Sequence, residues 1–424
     1  MQVFENNRLN EKYYLEKLDN GLNVIIFPKN GLLKKYITWG VNYGSIDSHF
    51  KIDGEEIIVP DGIAHYLEHK LFEQKSGVNS LDALTRIGVD PNAYTTNDHT
   101  AYLFSCIDNF YEGLDEFMDY VQNPYFTDEN VEKEKGIIGQ EITMYDDSPD
   151  WKLYISALQA MYKNNPVRID IAGTKESIAP ITKEHLYLCY NTFYKPENMV
   201  MIVVGDFEPE EILEEIKKRL IPKEKIANLE RIFKEEPEEV NEHEVINYMD
   251  ISLPLFFFGF KDRVIRDGKE LVKKDVAINL IFNLLFGKSS NLFKKLYEQG
   301  IIFNEPRCDF EFAREYSHAY IQGQATDIEV VKEELIKEIE NMKVEGLNKE
   351  HFERTKNAIY GSLVKQYNDV ENIGNMFMFN YFKGINPFDY IEEYKDITID
   401  YAEMILKELF VKDKMVVSKV LPKK

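Results

Sequence analysis

Cysteine, tryptophan and histidine are scarce in this 424-residue chain, at three, two and eight residues. Cys106, Cys189 and Cys308 lie far apart and form no CxxC pair. That excludes a disulfide framework and suits a reducing compartment. Basic side chains are outnumbered 51 to 74 by acidic ones, for a formal charge of −23. Phosphate binding needs a basic face, so nucleic acid is excluded as a partner. Most of the acid surplus reads as solvated surface that favours solubility and admits cationic ligands. The N-terminal stretch MQVFENNRLNEKYY has no apolar signal core. The run LPLFFFGF is too short to span a bilayer. The expectation is a soluble cytoplasmic protein with no membrane partner.

What is present describes a globular chain, 44% apolar and 29% charged. Its length suits two domains of roughly 200 residues. LDNGLNVIIFPK carries an Asn-Gly turn between alternating runs, a hairpin signal. YITWGVNYGSI, HTAYLFSCI, NMVMIVVGDF and SLPLFFFGF read as further strands. Amphipathic helices are expected over 108–122 and from the Thr127 cap to about Tyr145. Asp61 is the expected N-cap of a helix that follows Gly62. The highly charged stretch 217–245 reads as a linker between domains 1–216 and 246–424.

The second half repeats the first. LEHKLFEQ at 67–74 matches LFKKLYEQ at 292–299, an offset of 292 − 67 = 225. EKGIIGQEITMYDD at 134–147 resembles KNAIYGSLVKQYND at 356–369, an offset of 356 − 134 = 222. Two stretches at nearly one offset indicate duplication. His65, Glu68 and His69 meet Ser290, Phe293 and Lys294, and Glu141 meets Leu363. The polar residues of the first half are therefore not required by the architecture.

Two of the eight histidines sit in HYLEH at 65–69. On a helix, His65, Glu68 and His69 project from one face. HxxEH arises by chance in roughly one or two such chains per hundred, so a pair of ordinary surface histidines is the weaker reading. Two imidazoles spaced i, i+4 can bind one zinc ion, and the neighbouring carboxylate can act as general base. A catalytic zinc needs a third protein ligand. Val131, Glu134, Ile138, Glu141 and Tyr145 share a stripe of the next long helix. Carboxylates on an otherwise apolar stripe are costly unless paired or metal-bound. One of Glu134 and Glu141 would ligate the metal and the other would orient a ligand.

HxxEH followed 141 − 69 = 72 residues later by the second glutamate of ExxxxxxE resembles the pitrilysin or insulinase peptidases. DGIAHYLEHKLFE, PNAYTTNDHTAYLFS, VEKEKGIIGQEI, NTFYKPENMVMIVVGDF and GKSSNLFKKLYEQG extend the likeness over residues 62–300. The two-domain length is similar to the branch that contains mitochondrial processing peptidase and its bacterial relatives. The resemblance implies an α+β fold of two duplicated domains, each a largely antiparallel sheet packed with helices. It implies one zinc held by His65, His69 and Glu141, with Glu68 as base and Glu134 as supporting carboxylate. Residues 1–216 would then carry the zinc and 246–424 would be the metal-free homologue. The implied activity is hydrolysis of short or unfolded peptides, held as an added strand near Asn92 and Ala93; the alternatives are a zinc-bearing subunit active only with a second peptidase-like partner and a non-catalytic assembly subunit. His99 reads as a surface or core histidine, and Tyr66, Phe72 and Tyr102 as packing. An Arg/Tyr pair of many relatives is replaced here by Tyr297 and Phe303. The implied assembly is therefore a homodimer, or a heterodimer with a second peptidase-like subunit.

Overall fold

The computed structural model describes residues 1–223 and 228–423. Part of the expected linker, residues 224–227, lies outside the described residues. The protein is α+β and falls into two compact units.

The first unit comprises Met1–Ile142, Asp170–Ile232 and Val364–Phe382. Its strands are β1 (Gln2–Asn6), β2 (Glu11–Lys17), β3 (Asn23–Pro28), β4 (Lys35–Val41), β5 (His49–Ile52), β6 (Glu55–Ile58), β7 (Asp90–Thr95), β8 (Thr100–Cys106), β9 (Met199–Gly205) and β10 (Leu229–Arg231). Seven of them form one sheet in the order β1-β2-β3-β9-β4-β8-β7. Only the β3–β9 pair is parallel. β9, MVMIVVG, is buried at every residue, as its continuous apolar run requires of a central strand. The β2–β3 hairpin turns at Gly21, whose φ of 92° suits glycine, with the Leu22 amide donating to Asn20 Oδ1 at 3.1 Å. β10 joins β5 and β6 in a second sheet, so part of the charged stretch is ordered strand. Arg231 anchors that strand, its Nε lying 2.8 Å from the wholly buried Asp47 carboxylate.

The second unit comprises Thr143–Ile169, Phe233–Leu363 and Lys383–Lys424. Its strands are β11 (Glu244–Met249), β12 (Leu255–Lys261), β13 (Arg307–Phe312), β14 (Ser317–Gln324) and β15 (Met415–Pro422), in the order β11-β15-β12-β14-β13. Only β11–β15 is parallel. This order and these directions match β3-β9-β4-β8-β7 strand for strand, so the sheets bear the duplication that the short repeats signal. The helix Gly268–Phe286 supplies much of this unit's core. The span Gly268–Glu298 is long and apolar enough to cross a membrane by length and composition, beyond the LPLFFFGF run, and 67% of its apolar 18-residue window is buried.

The units differ from two continuous halves. The helix Pro149–Met161 belongs to the second unit and packs on β12 and β15. Its counterpart in the repeat, Val370–Tyr381, belongs to the first unit and packs on β4 and β9. Side chains decide this. Tyr36 donates its hydroxyl to Asn375 Oδ1 at 2.7 Å, and Phe377 meets Tyr13 and Phe27 edge-on at 4.8 and 5.7 Å. In the other unit, Tyr154 donates to Glu311 Oε2 at 2.5 Å and its ring meets Phe257 edge-on.

Candidate active site

The helix Ile63–Leu71 carries HYLEH, and all of its residues except His69 are buried. Its N-terminus corrects one expectation. Gly62, not Asp61, is the N-cap, with φ 90° and no side-chain hydrogen bond. A carboxylate cap requires extended backbone at that residue, whereas here the chain turns left-handed. A Cβ on Gly62 would stand 2.5 Å from the Ala172 carbonyl oxygen, so only glycine fits. The helix Asp128–Asp146 starts as expected at Thr127, which exchanges hydrogen bonds with Asn130 at 2.8 and 3.1 Å. Tyr66 ties the two helices together by donating its buried hydroxyl to the Val131 carbonyl. Phe72 and Tyr102 pack edge-on at 5.8 Å, as aromatic packing requires.

Glu134 and Glu141, two turns apart, meet the histidines differently. Glu141 faces both rings, with Oε1 3.6 Å from His65 Nε2 and Oε2 3.5 Å from His69 Nε2. Glu134 stands behind His69, with Oε1 3.1 Å from Nδ1. A ligand atom from each of His65, His69 and Glu141 lies within 4.8 Å of the others. Glu134 also receives Lys70 Nζ at 3.1 Å on Oε2. Burial opposes its charge, but His69 and Lys70 outweigh that and hold the carboxyl below its ordinary value. Burial likewise opposes a charge on His69, yet Glu134, Glu68 and Glu141 hold the imidazole above its ordinary value.

The donor set fits a metal ion. Glu134 accepts from Nδ1 of His69, which leaves the Nε2 lone pair facing Glu141. Separations of 3.5 and 3.6 Å are too long for good hydrogen bonds. They match the roughly 3.4 Å between two ligands each about 2.0–2.1 Å from a tetrahedral zinc. The carboxylate behind His69 fixes its tautomer, the arrangement found in histidine-bound zinc sites.

Glu68 is 7% exposed and accepts from Thr95 Oγ1 at 2.6 Å. Thr95 ends β7, the edge strand of the large sheet. Asn92 and Ala93 lie on that same edge strand, paired only with β8. Asn92 is exposed, and its Oδ1 accepts the Ala93 amide at 2.8 Å. His99 is buried, with Nδ1 2.6 Å from Asp98 Oδ1. Sequence reasoning missed Thr95 and Lys70. Thr95 is 27 residues from Glu68, with no periodic link, and Lys70 reads as an ordinary charged flank.

In the second unit Ser290, at the place of His65, is a helix N-cap that accepts the Phe293 amide at 3.1 Å. Tyr297 and Phe303 are both exposed.

Comparison with known proteins finds relatives along the whole chain. Residues 59–175 match the family model described as Insulinase (Peptidase family M16), and residues 180–359 match Peptidase M16 inactive domain. The chain is 39% identical to the uncharacterized zinc protease YmfH of Bacillus subtilis, over the full length of both. A crystal structure described as an M16-like peptidase from Alicyclobacillus acidocaldarius superimposes with a TM-score of 0.94 at 33% identity, covering 99% of this chain and 100% of that one. An Arabidopsis thaliana protein named as a mitochondrial-processing peptidase subunit beta is 29% identical over 47% of this chain and 37% of its own length. The chain belongs to the M16 (insulinase) peptidase family.

Proposed function

We propose that this protein is a zinc-dependent endopeptidase acting on short or unfolded polypeptides. The observation that carries this is the convergence of His65, His69 and Glu141 beside a buried glutamate that a threonine holds in place. Zinc held by these three residues would polarise the scissile carbonyl and acidify a water molecule. The chain's own groups do the rest. Glu68 takes the water's proton and delivers it to the leaving amine. Its Oε2 is engaged by Thr95, so Oε1 is the oxygen that moves the proton. Glu134 keeps His69 turned toward the cluster. β7 offers backbone groups at a sheet edge, and a peptide added there gains affinity with little sequence choice. Asn92 and Ala93 would line that strand.

The exchange of an Arg/Tyr pair for Tyr297 and Phe303 favours a second reading, in which this chain is the zinc-bearing subunit of a pair. A second copy or a second peptidase-like subunit would then complete the carbonyl-binding groups. Three unpaired cysteines, two of them buried, support a cytoplasmic setting.

The test is to purify the chain, measure bound zinc, and assay cleavage of an unstructured peptide library beside Glu68→Gln. The expected result is one zinc in both proteins and cleavage only in the wild type. Equal cleavage by Glu68→Gln would remove Glu68 as base. Zinc without cleavage would favour the two-subunit reading.

A further inference from the structure

Lys70 follows the second histidine directly, and its side chain is 0% exposed. Burying an ammonium is costly unless it is paired and hydrogen-bonded. Here Nζ lies 2.8 Å from Glu73 Oε1 and 3.1 Å from Glu134 Oε2. Glu134 is itself 5% exposed, and its other oxygen is 3.1 Å from His69 Nδ1. One carboxylate thus has its two oxygens held by two different donors, which fixes its plane as well as its position. Lysine has only donors, so it anchors Glu134 without competing for the proton of His69.

The repeat supplies an internal control. At the offset of 225, Lys70 matches Lys295, which is 42% exposed and pairs with Glu334 at 2.6 Å. The residue matching Glu134 is Lys356. The helix keeps its lysine in both units, but the lysine is buried only where the histidines are. The sheet architecture therefore does not demand a buried ammonium at this position.

Resting on the zinc reading above, we infer that Lys70 is a positioning residue for the metal site. It clamps Glu134, Glu134 clamps the His69 ring, and the ring presents Nε2 toward Glu141 and the ion. Glu73 neutralises the remaining charge of the ammonium and stands outside this chain of contacts.

The test is zinc affinity of the full chain, by competition with a chromophoric chelator, with melting of the metal-free protein as a check on the fold. Lys70→Met is expected to bind zinc about 10- to 100-fold more weakly, the range typical of lost support for a metal-binding histidine. Glu134→Gln should weaken binding similarly, and the double variant no further than the worse single one, because both break the same chain of contacts. Glu73→Gln should leave affinity near the wild type. If Lys70→Met does not fold, Lys70→Arg against Lys70→Gln carries the test, the arginine retaining more affinity than the amide. Wild-type affinity in Lys70→Met, or in Lys70→Gln, would overturn the inference, as would losses that multiply in the double variant. A wild-type chain that binds no zinc would instead sink the functional reading, and this inference with it.

Discussion

Replacing Thr95 by valine removes one hydroxyl and little volume. Thr100 Oγ1 donates to the Tyr43 carbonyl at 2.9 Å, so its single proton is committed. Thr95 Oγ1 lies 3.4 Å from that hydroxyl and 2.6 Å from Glu68 Oε2. Its own proton therefore points at Glu68, and the carboxylate is held by a charge-assisted hydrogen bond. Such a bond contributes about 1.5–3 kcal/mol, equivalent to roughly 10- to 150-fold in rate if all of it were felt in the transition state. Without the donor the carboxylate becomes free to rotate away from the reacting water, and a small misplacement is enough to cost a large factor. The expected result is kcat for peptide cleavage down about tenfold. KM and zinc content should stay unchanged, and Thr95→Ser should restore the rate. An unchanged or raised kcat in Thr95→Val, at full zinc content, would refute the claim that this bond aims the base.

Gly62→Ala should destabilise the first unit by at least about 1–2 kcal/mol, the usual cost of a left-handed backbone for an L-residue, with a further loss from the contact with Ala172. An unshifted thermal melt would contradict that. Stripping zinc with a chelator should lower the melting temperature, since a ligand at a thousandfold excess over its Kd contributes about 4 kcal/mol. Glu141→Gln should shrink that difference, and equal shifts in both proteins would remove Glu141 from the ligand set. In the second unit, burial pushes the Asp275 carboxyl up to about 7, against a hydrogen bond from Tyr390 at 2.7 Å. A carboxyl raised on folding contributes stability that is fully present below its unfolded value near 3.9 and is lost as pH rises through about 7. Denaturant titrations of Asp275→Asn should therefore show a flatter loss of stability across that window than the wild type.

Much of the site was legible because its logic is local. His65, Glu68 and His69 share one helix face by spacing alone, and Glu134 and Glu141 share another. The division of labour between the two glutamates was not available from residues alone, because both lie on the same stripe. It depends on the height at which the two helices meet, which the Tyr66 hydroxyl helps set at Val131. Strands β4, β8, β9 and β12 were visible as apolar runs. The small sheet of β5, β6 and β10 was not, because its strands are short and polar and one lies in a charged stretch. The capping role expected of Asp61 failed because a left-handed glycine, not an extended acid, opens the site helix. The destination of the helix Val370–Tyr381 was hidden too, since an amphipathic pattern says that a face is buried and not against which sheet.

That last helix has a consequence for how the protein is made. The sheet that positions β7 and the site helix takes its cover from residues 364–382, near the far end of the chain. A ribosome that has delivered both site histidines and all three site glutamates has therefore not yet delivered the layer that shields Tyr36 and Phe27 from water. The first unit must wait through more than half of synthesis, and contacts so distant in sequence close slowly. Severing the gene at the boundary between its two repeats would leave an N-terminal fragment with every reactive residue and an unroofed sheet.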